Sequence, residues 1–185
     1  MERHITIPID RDTAKSLKTG DTVYITGEMY VARDAAHKRL YELICEGSPL
    51  PIDLENETVY YMGPSPAREG RVIGSAGPTT SSRMDKYTPA LLDRGISVMI
   101  GKGRRSEEVK RAAKEHGAVY LVAVGGAGAL LSERITGSRV ICYGDLGAEA
   151  VRRIKVKDFP CIVALDAEGD DIYEKREKVD KNDPV

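Results

Sequence analysis

Apolar and polar positions along this chain follow two rhythms, and each predicts a different kind of element. Ala118-Val-Tyr-Leu-Val-Ala-Val124 is apolar throughout and bounded by glycines, the pattern of a central strand buried on both faces. Residues 21–28 alternate with period two, as a half-buried strand does, and the pattern continues loosely through Tyr30 and Val31. Further strands are predicted at 5–7, 58–62, 71–73, 96–100, 139–143 and 161–165. Helical spacing opens at Arg33-Asp34, carries Ala36, Leu40, Leu43 and Ile44 on one side, and stops at Gly47. Ser106 caps a helix over 107–116, whose acids come first and whose Lys110, Arg111 and Lys114 come later, as the helix dipole favours. Shorter helices are predicted at 10–19, through Met84, Tyr87 and Leu91, at 129–134 and at 148–154. A strand-rich N-terminal portion followed by alternating helix and strand gives an α/β fold with a partly parallel central sheet. Residues 1–185 form one domain in this reading, with the charged stretch 174–185 as a mobile tail.

Charge and composition narrow the function. The chain carries 28 basic and 29 acidic residues, no Trp and one Phe, which argues against a nucleic-acid platform. No apolar run approaches the ~20 residues of a membrane span, and the start Met-Glu-Arg-His lacks a signal-peptide profile, so a cytoplasmic location is expected. Cys45, Cys142 and Cys161 are odd in number and widely separated, which fits neither a disulfide framework nor a close-spaced metal knot. No metal site is expected from this chain's own residues.

The densest chemistry lies in Ile73-Gly-Ser-Ala-Gly-Pro-Thr-Thr-Ser-Ser-Arg-Met-Asp85, answered by Met99-Ile-Gly-Lys-Gly103. Gly74, Gly77 and Pro78 break a strand, and Thr79 to Ser82 then sit where N-caps are expected. At such a strand-to-helix turn, free N–H groups and the positive dipole end face an anion. Arg83 reaches back toward the same spot, and Lys102 stands between two glycines at the end of a second strand. Hydroxyls and cations so arranged suit a carboxylate or phosphate pocket. Taken singly, the same residues are also accounted for by two loops with a capping Thr and surface cations. Arg33 and His37, four apart, share one helical face, with Arg33 either at a solvated helix start or turned into the pocket. Gly125-Gly-Ala-Gly128 follows a buried strand but lacks the third glycine of a dinucleotide fingerprint, since position 131 is Leu. Nucleotide binding and close backbone packing both remain open for it.

Gly77-Pro-Thr-Thr-Ser-Ser-Arg-Met-Asp85, the Met99–Gly103 answer and Ala32-Arg-Asp-Ala-Ala-His-Lys-Arg-Leu40 resemble the β subunit of two-subunit class I fumarases. The same domain ends the fused single-chain enzymes and occurs in L(+)-tartrate dehydratase. Val119–Ala129, Val156-Lys-Asp-Phe-Pro160 and Asp166-Ala-Glu-Gly169 fit the pattern, so the resemblance runs from about residue 3 to residue 173. It implies a swivelling β/β/α domain and a hydro-lyase interconverting fumarate and (S)-malate. It also implies a four-iron four-sulphur cluster carried by a partner α subunit, which supplies the general acid too. Thr79 would be the proton-abstracting hydroxyl, while Arg33, Thr80, Arg83 and Lys102 would bind substrate carboxylates. Tartrate dehydration, or a non-catalytic dicarboxylate-binding or assembly module in a hetero-oligomer or dimer, is the alternative.

Overall fold

The computed structural model describes residues 1–67, 69–123 and 128–182. In chain order its elements are β1 (Glu2–Ile7), α1 (Arg11–Lys15), β2 (Thr22–Val31), α2 (Asp34–Cys45), β3 (Thr58–Tyr60), α3 (Thr88–Leu92) and β4 (Val98–Gly101). Next come α4 (Glu107–His116), β5 (Val119–Ala123), α5 (Gly128–Glu133), β6 (Ile135–Cys142), β7 (Val151–Leu165) and α6 (Ile172–Asn182). Single 3-10 segments lie at Ser81–Met84 and Gly144–Glu149.

The fold is mixed α/β, and its sheet closes on itself. Strands β2, β3, β4 and β5 run parallel in that order, and β7 pairs antiparallel with both β5 and β2. Five strands therefore make a barrel-like ring, with β1 beside the first half of β2 and β6 beside the first half of β7. Side chains alternate across the wall, as strand geometry requires. Val23, Ile25, Val31, Tyr60, Ile100, Leu121 and Ile154 fill the inside. Val59, Tyr61, Met99 and Tyr120 point outward and are covered by α2, α3 and α4 through Ala36, Leu40, Leu91 and Ala113. Each fully buried large side chain contributes roughly 1.5–3 kcal/mol.

Two predicted elements are corrected. Residues 148–154 do not form a helix: Val151 begins a strand of 15 residues, whose Val151, Ile154 and Val156 are all buried. A bulge hides that strand's period, because Asp158 takes φ 48° and moves the inward set from Ile154 and Val156 to Phe159, Cys161 and Val163. Residues 71–73 are not a strand either; Val72 is exposed, and the chain there runs as a loop. Within the C-terminal stretch α6 runs from Ile172 to Asn182, and at its start Lys110 Nζ lies 3.0 Å from Asp171 and 2.5 Å from Glu174.

Because β2 to β5 are parallel, their carboxyl ends share one rim of the barrel. Arg33, Gly63 and Lys102 come after β2, β3 and β4 on that rim. Open α/β sheets gather ligands at strand carboxyl ends because the connecting loops diverge there and leave a crevice. No helix among the described residues is long and apolar enough to cross a membrane.

Candidate functional site

Arg33 takes the N-cap position of α2 with an extended backbone, and its side chain lies across Gly63. A Cβ at residue 63 would come within 2.8 Å of Arg33 Cδ and Nη1, so this contact needs a glycine. Arg33 Nε donates to Asp34 Oδ2 at 3.1 Å and stands 3.2 Å from Glu149 Oε1. Arg83 Nε donates to the other oxygen, Asp34 Oδ1, at 2.7 Å. One carboxylate thus ties together two arginines that are 50 positions apart in the chain (83 − 33). Burial opposes charge on Asp34, but its own backbone N–H and the two guanidiniums hold its carboxyl below the usual range. Among the described residues the Nη groups of both arginines make no hydrogen bond, so each keeps donors for an incoming anion.

The Thr-Thr pair is held differently from its sequence-based expectation. Pro78 bridges antiparallel to Met62, Thr79 N–H donates to the Tyr61 carbonyl at 2.7 Å, and Thr80 bridges parallel to Lys102. Ser81 N–H donates to the Lys102 carbonyl at 2.9 Å. The N–H groups of Thr79 and Ser81 are therefore spent on strand-like pairing. The chain then makes a single 3-10 turn instead of a long helix, since Pro89 belongs to the first turn of the separate α3. The N–H groups of Thr79 and Ser81 are thus not available to an anion, and no long helix begins here. Among the described residues the Thr79 and Thr80 hydroxyls have no hydrogen-bond partner, and Lys102 has no carboxylate partner. Lys102, Gly63, Gly77 and Pro78 line a cavity of ≈ 370 Å³.

Beneath these groups lies a buried polar layer that sequence reasoning misses. Lys102 N–H donates to Ser81 Oγ at 3.1 Å, Ser81 Oγ lies 2.8 Å from Tyr120 Oη, and Tyr120 Oη donates to the Gly103 carbonyl at 2.9 Å. Since the tyrosine proton is spent on Gly103, the serine hydroxyl donates to the tyrosine. Arg105, with a side chain only 1% exposed, donates from Nε to Asp85 Oδ1 at 2.7 Å and from Nη2 to Thr88 Oγ1 at 2.9 Å. Its guanidinium carbon also lies 4.9 Å from the Tyr120 ring centre and 5.3 Å from that of Tyr61. Asp85 Oδ2 accepts from Ser106 N–H at 2.7 Å. These bonds fix the Thr79–Asp85 run to the Lys102 loop. Asp85 is legible only as the end of a motif; buried ion pairs carry no period that would announce them.

Gly101 matters because the two runs approach so closely. A Cβ there would overlap Ser81 Oγ and come within 2.9 Å of Tyr61 Cδ2. We expect Gly101→Ala to lower stability by about 1–3 kcal/mol, or roughly 3–10 °C in Tm. Calorimetry measures this directly, and an unchanged Tm would mean the two segments are free to separate.

His37 is buried, with Nδ1 3.0 Å from the Arg33 carbonyl and its ring edge-on to Tyr61 at 5.1 Å. Burial lowers its pKa from 6.5 to about 4, so the ring is neutral near pH 7. The unfolded chain binds this proton first on acidification. The stabilising contribution is therefore complete above pH 6.5 and is lost as pH falls toward 4, reaching about 3 kcal/mol at full extent. His37→Gln should flatten the wild-type loss of Tm across that window, by comparison of the two pH profiles. Parallel profiles would show that His37 does not titrate on unfolding.

The three cysteines stay apart: Cys45 is exposed on α2, Cys142 ends β6 and Cys161 is buried in β7. Among the described residues no three His, Cys, Asp or Glu side chains gather to hold a metal, so an iron–sulphur cluster does not fit this chain's own donors. Most of the glycine run weighed for nucleotide binding, residues 125–127, lies outside the described residues.

The family described as Fumarase C-terminus matches residues 2–176. Fumarate hydratase 2 of Leishmania major is 39% identical over 172 residues, covering 91% of this chain and 30% of that protein. The anaerobic class I fumarate hydratase of Escherichia coli K12 is 40% identical over 153 residues, covering 82% of this chain and 28% of the enzyme. A Methanocaldococcus jannaschii protein, named as a candidate L(+)-tartrate dehydratase subunit beta, is 37% identical over 176 residues, covering 92% of this chain and 90% of its own length. The chain thus spans under a third of the fumarate hydratases, but nearly all of the separate subunit.

Proposed function

Because the chain belongs to the fumarase C-terminus family, we propose that it is the β subunit of a hydro-lyase interconverting fumarate and (S)-malate. The observation that carries this reading is the single Asp34 carboxylate tethering Arg33 and Arg83 by Nε while their Nη donors remain unspent. A C4 dicarboxylate brings two negative charges. A planar guanidinium fork suits one carboxylate, and the Lys102 ammonium offers a point charge for the other. The Thr80 hydroxyl adds a donor.

In the dehydration direction, Thr79 Oγ takes the proton from the carbon beside the carbinol. That bond's electron pair forms the double bond, and the hydroxyl leaves the neighbouring carbon with its own pair. An aliphatic hydroxyl must first give up its own proton, here to solvent, before its oxygen can take another, so the reading requires a cation beside the resulting alkoxide, and Lys102 is assigned that role. Since no ligand set gathers among the described residues, we assign the iron–sulphur cluster to a partner α subunit, where it would supply Lewis-acid chemistry at the leaving hydroxyl. The general acid is assigned to that partner, and the swivelling-domain architecture belongs to the same proposal.

The full-length match to a tartrate dehydratase β-type subunit favours a second reading, in which the substrate carries one more hydroxyl. Anaerobic mixing of this chain with its α partner should produce hydro-lyase activity that neither component has alone. Assaying fumarate and L(+)-tartrate side by side separates the two substrates. Hydration by this chain without a partner, or inactivity of a cluster-loaded mixture on both substrates, would overturn the proposal.

A further inference from the structure

The cleft on the barrel rim has a second branch. Pro64, Ser65, Val72, Ala148 and Arg152 line a cavity of ≈ 300 Å³ that shares Ser65 with the Lys102 cavity. Ser75 N–H donates to Ser65 Oγ at 2.8 Å, which pins the loop between the two branches. Arg152 reaches this place from β7, in the stretch whose sequence spacing suggests a helix. Its Cα partners are Val31 on β2 and Val140 on β6. Because Val31 and Ile154 face the barrel interior, Arg152 shares their inward register at the rim.

Arg153 beside it faces outward, donates to Glu57 and stacks on the Tyr30 ring. Arg152 does neither. Among the described residues no carboxylate lies within 4.0 Å of it, and its Nε is buried without an acceptor. Glu149, the nearest acid along the chain, is engaged by Arg33 Nε and the Ala35 N–H. A buried guanidinium nitrogen without an acceptor is an uncommon and costly arrangement, and it calls for a partner from outside the chain.

We infer that Arg152 is a further anion-binding residue, which takes a carboxylate of the small acid held in the cleft. This rests on reading the cleft as a dicarboxylate site. It extends that site from the Arg33, Arg83 and Lys102 branch to the space lined by Pro64, Ser65 and Val72.

The test is a titration of the full isotopically labelled chain with succinate, tracking the arginine Nε–H signals by NMR. Uncharged succinamide and monovalent acetate serve as controls. Succinate should move the Arg152 signal saturably and succinamide should not, with acetate much weaker. Arg152→Met should bind succinate at least about tenfold more weakly, as loss of one charge-assisted bond implies, and Arg152→Lys should recover part of that. If Arg33 and Arg83 respond while Arg152 does not, and Arg152→Met binds as wild type does, this inference fails and the dicarboxylate reading stands. If no cation responds to succinate, or acetate acts as strongly, both fall together. Circular dichroism of the two variants separates misfolding from lost binding, with Arg152→Lys keeping the test decisive if Arg152→Met does not fold.

Discussion

Asp85→Ala should cost about 3–5 kcal/mol of stability, the largest loss expected from any single change near the rim, because it strands a buried cation. Arg105 would keep its charge in a site where its side chain is 1% exposed, with Thr88 Oγ1, long contacts to Tyr61 Oη and Met99 Sδ, and two aromatic faces left to receive it. Ser106 N–H would lose its acceptor as well. A domain's whole stability is roughly 5–15 kcal/mol, so between about a fifth and all of the margin is at stake. Urea unfolding measures this. Removing both partners in Asp85→Ala/Arg105→Met should be less harmful than the two single losses added together, because the second change deletes the stranded charge. Strict additivity would show that the pair does not couple. The same bonds fix the distance between the Thr79–Asp85 run and the Lys102 loop, so lost stability and lost site geometry share one cause.

Some of this arrangement is written locally and some is not. The α4 helix is legible in full because Ser106 Oγ accepts the Val109 N–H and Gly117 closes the helix at φ 66°, both within a few residues of its ends. The β5 strand is legible because its apolar run is continuous. By contrast, β7 is obscured by the Asp158 bulge, and Pro160 inside it reads as a break. The barrel itself is not legible, because it closes only when Val31 meets Arg152, a pairing across more than half the chain. Thr79, Thr80, Arg83 and Lys102 stand out as a cluster of hydroxyls, glycines and cations. Asp34, which joins the arginines, looks in the sequence like an ordinary first-turn acid of α2. Arg152 passes unnoticed because helical spacing over 148–154 masks the alternation of inward and outward positions in the strand.

Thr79→Ala should reduce turnover of the assembled enzyme by about 10²–10⁴-fold, the usual worth of a positioned proton-transfer group. The change deletes little else. Thr79 is held through its backbone, by the N–H bond to the Tyr61 carbonyl at 2.7 Å, which alanine keeps. Its hydroxyl has no partner among the described residues, so neither folding nor assembly should suffer measurably. Dicarboxylate affinity should also hold, because the charges that attract the substrate sit on other side chains. Thr79→Ser restores the oxygen without the methyl group and should recover part of the rate. Lys102→Ala differs in kind: under the proposed function it removes an anchor for a carboxylate as well as the cation assigned to the alkoxide, so KM should rise while kcat falls. If Thr79→Ala instead raises KM at constant kcat, the hydroxyl binds substrate rather than moving its proton. The base would then have to come from another group, and this chain's share of the reaction would reduce to holding the acid in place.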